Sequence, residues 1–103
     1  MKAGQLKLVF SIFDEKAAAF GMPFFTVNEA MALRMILATA RDQNTNIAQF
    51  PGDFTLFVIG EWDEDDGRIE MYPAHKSLGT VLQILAASES PMAEIASELS
   101  EVK

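Results

Sequence analysis

The side chains best suited to chemistry in this sequence are one histidine, His75, and the carboxylates between Glu61 and Glu70. His75 lies beside Pro73 and Lys76 without any recognisable serine or cysteine motif, so the parts of a nucleophilic triad are missing. The sequence contains no cysteine, which excludes disulfides, thiolate metal sites and cysteine nucleophiles. We therefore interpret His75 as a surface residue or a residue at the entry of a helix.

These carboxylates could indicate a calcium site or a pair of acid/base residues, but neither interpretation fits the sequence. If Gly67 takes the sixth position of an EF-hand loop, Trp62 is first and Pro73 is twelfth, and neither offers a side-chain carboxylate. Asp63 and Asp65 would lie on a hairpin tip, without the desolvated pocket that separates the pKa values of paired acids. Phosphate-cradling glycine motifs and the HExxH zinc motif are also missing. The sequence therefore predicts a protein that is not an enzyme and uses no metal or cofactor.

Unpaired nucleic-acid bases are another class of ligand, because aromatic rings stack on bases and cations contact the backbone. The rings available for stacking are Phe20, Phe24, Phe25, Trp62 and Tyr72, and the cations are Lys7, Lys16, Arg34 and Arg41. The net charge of -7 opposes this interpretation, since a polyanion repels an acidic chain unless its few bases cluster in the fold. Core packing is the favoured interpretation of the rings.

Length and composition define the protein class. The chain has 103 residues, of which 50% are hydrophobic, so one small domain with its own core is expected. Up to Gly60 five basic residues balance five acidic ones, and the whole net charge of -7 comes from the residues that follow. Uncharged runs are shorter than the ~20 residues of a membrane helix, so no membrane association is expected, and the missing cysteines favour a cytoplasmic location.

The alternation of apolar residues predicts three strands, at residues 6–13, 54–62 and 68–72, and the last two form a hairpin through the Asp66-Gly67 turn. A Thr26-x-x-Glu29 capping box predicts a helix that runs to about Asp42. A second helix is expected beyond Ser77, because Leu78, Val81, Leu82 and Leu85 recur at helical spacing. Met92, Ile95, Leu99 and Val102 form a narrow stripe that predicts a short C-terminal helix or tail.

These elements give an α+β fold in the order strand, helix, strand, strand, helix, with helices on one face of a small antiparallel sheet. We assign residues 1–88 to a single domain and residues 89–103 to an acidic amphipathic helix or tail. The uncovered face is expected to expose apolar side chains, and such a patch typically contacts a partner. Its predicted residues are Val9, Phe13, Phe57 and Ile59, and the expected partner is a second copy, with a dimer favoured.

Three segments together resemble the small nonstructural protein of the gokushovirus-type microviruses, which are single-stranded-DNA bacteriophages. The segments are Phe10-Ser-Ile-Phe-Asp-Glu-Lys-Ala17, Pro23-Phe24-Phe25 ahead of Ala32-Leu33-Arg34, and Phe50-Pro-Gly-Asp-Phe-Thr-Leu-Phe-Val-Ile-Gly-Glu-Trp-Asp63. Their order and spacing match the family pattern over about residues 8–85. In the family, a glutamate stands where this chain has Gly52, and the final Phe-Asp reads Trp62-Asp63 here.

The resemblance implies a nonstructural protein in the cytoplasm of the infected bacterium that is not a virion component. It implies a role in single-stranded genome synthesis or its switch to packaging, with single-stranded DNA or replication and assembly proteins of phage or host as partners. If DNA binds, the expected contacts are Lys16, Arg34 and Arg41 with Phe24 or Phe25. The alternative is a self-associating adaptor without nucleic-acid contact.

Overall fold

The computed structural model describes residues 6–89 of the chain. Within that part it has the strands β1 (Leu6–Asp14), β2 (Ala19–Phe20), β3 (Phe24–Thr26), β4 (Phe54–Asp63) and β5 (Ile69–Thr80). The helices are α1 (Glu29–Ala40), α2 (Asn46–Gln49) and α3 (Val81–Glu89), and a short 3-10 helix, Pro51–Asp53, leads into β4. The predicted α+β class is confirmed. The predicted C-terminal helix or tail lies outside the described residues, apart from Glu89.

All the strands pair antiparallel in one sheet. β1 pairs with β4 along its whole length, and β4 pairs with β5, which forms an outer edge. The other side of β1 pairs with β3 near its start and with β2 at its end. The predicted hairpin is present: Trp62 pairs with Ile69, and Gly67 occupies the turn with φ 74°, a conformation that glycine adopts without strain.

The helix α1 begins two residues later than the capping-box pattern predicts. Asn28 is the N-cap, and its side-chain oxygen accepts a hydrogen bond from the Met31 backbone N–H at 2.9 Å. Thr26 instead belongs to β3, where its hydroxyl donates to the Asn28 carbonyl at 2.6 Å. An asparagine caps as well as a threonine, so local pairing of Thr26 with β1 decides between them.

The helix α3 begins at Val81, so the predicted start at Ser77 is wrong. Thr80 and Gln83 form a reciprocal capping box: the Gln83 N–H donates to the Thr80 hydroxyl oxygen at 3.1 Å, and the Thr80 N–H donates to the Gln83 side-chain oxygen at 2.9 Å. Gly79 has φ 109° and lies in the strand, not in the helix. Ser77 pairs with Phe57 in the sheet.

The core lies between the sheet and the helices. Phe10, Leu56 and Val58 of the sheet pack against Ala32, Ile36 and Ala40 of α1 and against Val81 and Ile84 of α3. We call the face of the sheet that carries Phe10, Leu56 and Val58 the helix side. The opposite face carries Val9, Ser11, Phe13 and Phe57, because successive side chains of a strand alternate between faces. We call this opposite face the open face.

The pairing of β4 with β5 is interrupted in the middle. Val58 pairs with Lys76 and Gly60 pairs with Met71, so residues 72–75 of β5 lie opposite Ile59 alone without regular partners. At Gly60 the two strands approach so closely that a Cβ atom would lie 2.6 Å from the Glu70 carbonyl oxygen. We call residues 72–75 the bow of β5. The bow and the close approach at Gly60 together set the path of this edge strand beside β4.

Candidate functional site

Charge is segregated between the two faces of the sheet. The long strands β1, β4 and β5 contain the carboxylates Asp14, Glu61, Asp63 and Glu70. Strand alternation and the register place all of them on the helix side: Glu61 pairs with Leu8 and Glu70, and Asp63 pairs with Leu6. The same three strands therefore contribute no carboxylate to the open face. This is an unusual surface for a chain with a net charge of -7.

An aromatic cluster occupies one end of the open face. The Phe20 ring contacts those of Phe13, Phe57 and His75, with centroid distances of 5.0, 5.6 and 5.3 Å. Phe57 also lies 6.2 Å from His75. Each of these contacts is edge-to-face, the arrangement that ring quadrupoles favour. Phe20 is 45% exposed, so the cluster presents an accessible aromatic surface.

A second aromatic group lies toward the other end of the open face. Phe25 of β3 packs edge-to-face on Trp62 of β4 at 5.4 Å, and the Lys7 ammonium lies 5.8 Å from the Trp62 ring centroid. Lys7 also forms an ion pair with Glu64 of the hairpin turn, which neutralises its charge. The exposed apolar side chains Ile69 and Met71 of β5 continue this surface.

The structure corrects part of the predicted self-association surface. Val9 and Ile59 are buried, with 2% and 9% exposure, so the expectation that they are exposed is wrong. Across the sheet, Val9 pairs with Phe25 on one side and with Gly60 on the other, and Gly60 pairs with Met71. The larger side chains of Phe25 and Met71 share the face of Val9. Ile59 lies at the register shift, opposite the bow of β5. Phe13 and Phe57 are half-buried on the open face.

The five residues predicted to bind nucleic acid do not share one surface. Arg34 and Arg41 are exposed along α1 and at its end, on the helix side. Phe24 stacks on the buried Phe10 at 5.5 Å and packs against the core. Phe25 lies on the open face, through its pairing with Val9. Lys16 lies in the exposed turn after β1, where it lines a hollow together with the carboxylates of Asp14 and Asp53.

Tyr72 forms a polar contact on the helix side. Its hydroxyl donates to a Glu61 carboxylate oxygen at 3.2 Å. Burial, this hydrogen bond and the negative charges of Glu61 and Glu29 raise the pKa of the Tyr72 hydroxyl above its ordinary value of 10.0. Glu29 also receives the Lys76 ammonium at 3.0 Å, an ion pair that joins α1 to β5.

The acidic residues of the hairpin do not assemble a metal site within residues 6–89. Glu61, Asp63, Asp66 and Glu70 line a shallow hollow with Arg68, whose charge opposes a cation there. No group of three or more potential ligands in the described part of the chain is arranged to hold a metal ion. In the same residues no helix is long and apolar enough to cross a bilayer.

Sequence reasoning missed Phe20, Trp62 and Met71 as members of one surface. Phe20 lies in a segment whose composition favours helix or turn, so its pairing with Phe13 had no local signal. Alternation places Trp62 with Leu56 and Val58, and it reaches the open face only because the register between β1 and β4 shifts at Ile59. Met71 lies on this face through its pairing with Gly60, which a sequence pattern does not reveal.

Comparison with known proteins places the chain in a protein family. A family model described as Phage ORF5 protein matches residues 7–84 of the chain. The match includes every strand except the first residue of β1, the helices α1 and α2, and the first four residues of α3. No curated protein and no solved structure shows significant similarity to the chain.

Proposed function

Since this chain belongs to the Phage ORF5 protein family, we propose that it is a non-enzymatic accessory protein of a bacteriophage with a single-stranded DNA genome. It acts in genome replication or the switch to packaging, in the cytoplasm of the infected bacterium and outside the virion. The gokushovirus-type assignment within the family rests on the Phe10–Ala17, Pro23–Phe25 and Phe50–Asp63 motifs.

The protein acts as a self-associated module whose open face packs on a second copy. One observation carries this proposal: the open face is aromatic and apolar, and the long strands contribute no carboxylate to it. Interface cores are typically enriched in aromatic residues and methionine and depleted of charge. Phe20, Phe25, Ile69 and Met71 provide that composition, and each of them is at least 39% exposed in the single chain.

Charge and area both support a second copy as the occupant. Two chains of charge -7 repel each other, so they approach most easily through a face to which the long strands contribute no carboxylate and on which Lys7 pairs with Glu64. Strands of about 30 Å and a sheet four strands wide give a face of about 600 Å² in projection. Protruding side chains increase the accessible area toward the roughly 800 Å² per partner of a standard interface.

The test compares two exposed methionines on opposite sides of the sheet. Met71 lies on the open face and is 53% exposed, whereas Met35 lies on α1 and is 46% exposed. Met71→Asp should weaken the dimer at least ~10-fold in sedimentation equilibrium, because a buried unpaired charge is strongly unfavourable. Met35→Asp adds the same charge and should leave the association constant unchanged. A monomeric wild-type chain at micromolar concentration, or equal losses in both variants, would contradict the proposal.

Single-stranded DNA is the second candidate occupant, favoured by the exposed rings of Phe20 and Phe25 on the same face. Each base that stacks on an aromatic side chain contributes ~1–3 kcal/mol. A titration with unlabelled single-stranded and duplex DNA at several salt concentrations separates the two occupants. If a monomer binds DNA, and if Met71→Asp abolishes this binding while Met35→Asp retains it, the occupant of the open face is a DNA strand and not a second copy. The self-association proposal predicts no binding even at low salt.

A further inference from the structure

An apolar groove of about 490 Å³ lies between α1 and α3 on the helix side, remote from the open face. Leu33 and Leu37 form the α1 wall, and Ile84 and Ala87 contribute to the α3 wall. The other residues that line it are Leu78, Gly79, Gln83 and Ser88. A groove with these walls fits aliphatic side chains.

Two polar groups of the groove already have partners. The Gln83 side-chain oxygen accepts the Thr80 N–H at 2.9 Å, and the Ser88 hydroxyl donates to the Leu85 carbonyl at 2.8 Å. A polar or charged small molecule would therefore find few groups to bind it. The ligand that the groove fits is a row of apolar side chains.

The chain itself supplies such a row directly after the groove. α3 ends at Glu89, next to the groove residues Ala87 and Ser88. The sequence that follows carries Met92, Ile95, Leu99 and Val102, spaced three, four and three residues apart. A tethered segment has a high effective concentration at a site beside its attachment point, so it outcompetes free ligands of similar composition.

Charge favours the same occupant. Arg41 lies one helical turn beyond Leu37, on the same side of the α1 axis, and Arg34 follows Leu33 directly. Both arginines are exposed and neither forms an ion pair with the described residues. The segment after Glu89 contains Glu94, Glu98 and Glu101. Opposite charges thus flank the complementary apolar surfaces.

We propose that residues 90–103 bind in the groove between α1 and α3 of their own chain, with Met92, Ile95, Leu99 and Val102 against Leu33, Leu37 and Ile84. This contact is independent of the open face and of the partner proposed for it. It assigns a role to the acidic C-terminal residues: they cover the apolar groove and bring their carboxylates to Arg34 and Arg41.

The test uses two neighbouring alanines of α3 in the full-length chain. Ala86 and Ala87 are both exposed, but only Ala87 lines the groove. Hydrogen exchange of the amides in residues 90–103 is compared with exchange in a synthetic peptide of the same sequence. The wild type and Ala86→Asp should both exchange at least ~10-fold more slowly than the peptide. Ala87→Asp should exchange like the peptide, because its carboxylate enters the apolar groove and repels the acidic segment.

A second variant acts from the other side of the contact. Ile95→Asp leaves every groove residue unchanged, so a loss of protection there cannot come from misfolding of α3. Equal exchange in the wild-type chain and the free peptide would overturn the proposal, as would protection that persists in both Ala87→Asp and Ile95→Asp. Protection that disappears on dilution would also overturn it, because the segment would then occupy the groove of another copy.

Discussion

The two faces of this sheet are built from alternate residues of the same strands, yet they differ in burial and in charge. The helix side buries Phe10, Leu56 and Val58 under two helices and carries the strand carboxylates at its margin. The open face carries exposed or half-buried rings and an exposed methionine, without strand carboxylates. One face therefore forms the folded core, and the other leaves apolar side chains exposed to solvent.

The largest expected effect comes from truncating one phenylalanine on each face. Phe10→Ala should reduce the free energy of unfolding by ~3–5 kcal/mol, because Phe10 is fully buried in the core. Phe57→Ala, on the open face, should cost clearly less in the monomer, since its ring is partly exposed. Urea unfolding of both variants measures the difference, and equal losses would show that the open face also acts as a core.

A smaller effect is expected at the close approach of β4 and β5. Gly60→Ala should destabilise the chain by roughly 1–3 kcal/mol, because its Cβ would lie 2.6 Å from the Glu70 carbonyl oxygen and the backbone must shift. Gly52→Ala is the control, since its Cβ would meet only a Leu82 methyl group at 3.7 Å. Thermal unfolding should separate the two variants, and a Gly60→Ala midpoint equal to that of Gly52→Ala would contradict the strain argument.

The ion pair between Lys76 and Glu29 should contribute less to the free energy of unfolding than the change at Gly60 removes. It joins β5 to α1 at 3.0 Å, but both side chains are partly exposed to solvent, so we expect ~0.2–1 kcal/mol of coupling. A double-mutant cycle with Lys76→Met and Glu29→Gln measures this coupling energy at low and high salt. A coupling that does not weaken with added salt would show that the pair is better shielded than its exposure indicates.

The smallest effect is a pH dependence from Tyr72 on the helix side. The folded chain raises the pKa of this hydroxyl above 10.0, so folding favours the neutral phenol. Its contribution is complete below the unfolded pKa of about 10 and is lost as pH rises through the folded value. Unfolding midpoints between pH 8 and 11 should therefore fall more steeply for the wild type than for Tyr72→Phe. Equal slopes of midpoint against pH in the two variants would show that Tyr72 does not contribute to the pH dependence.

The sequence predicted the elements that have strong local signals. Alternation identified β1, β4 and the start of β5, and the Asp66-Gly67 pair identified the hairpin turn, because each pattern depends only on neighbouring residues. The helix α1 was predicted from its apolar stripe, with an error of two residues at its start. A fold class needs only this much information.

The misses arise from contacts between distant residues. β2 and β3 are too short to show a period, and they become strands only through pairing with β1. Val9 and Ile59 were predicted to be exposed because alternation identifies a face but not the side chains that cover it. For α3, the Thr80 and Gln83 capping box was present in the sequence, but continuation of β5 through Gly79 was not anticipated.

The bow of β5 limits how copies can assemble. A regular outer edge would let strands of further molecules add one after another, as in a growing fibril. Residues 72–75 interrupt that edge, and Pro73 lacks the N–H that an incoming strand would need. In the proposed dimer, two open faces would stack around a twofold axis and use the same patch on both molecules, so that contact would stop at a pair. The interrupted edge of β5 therefore does not favour the addition of strands from further copies.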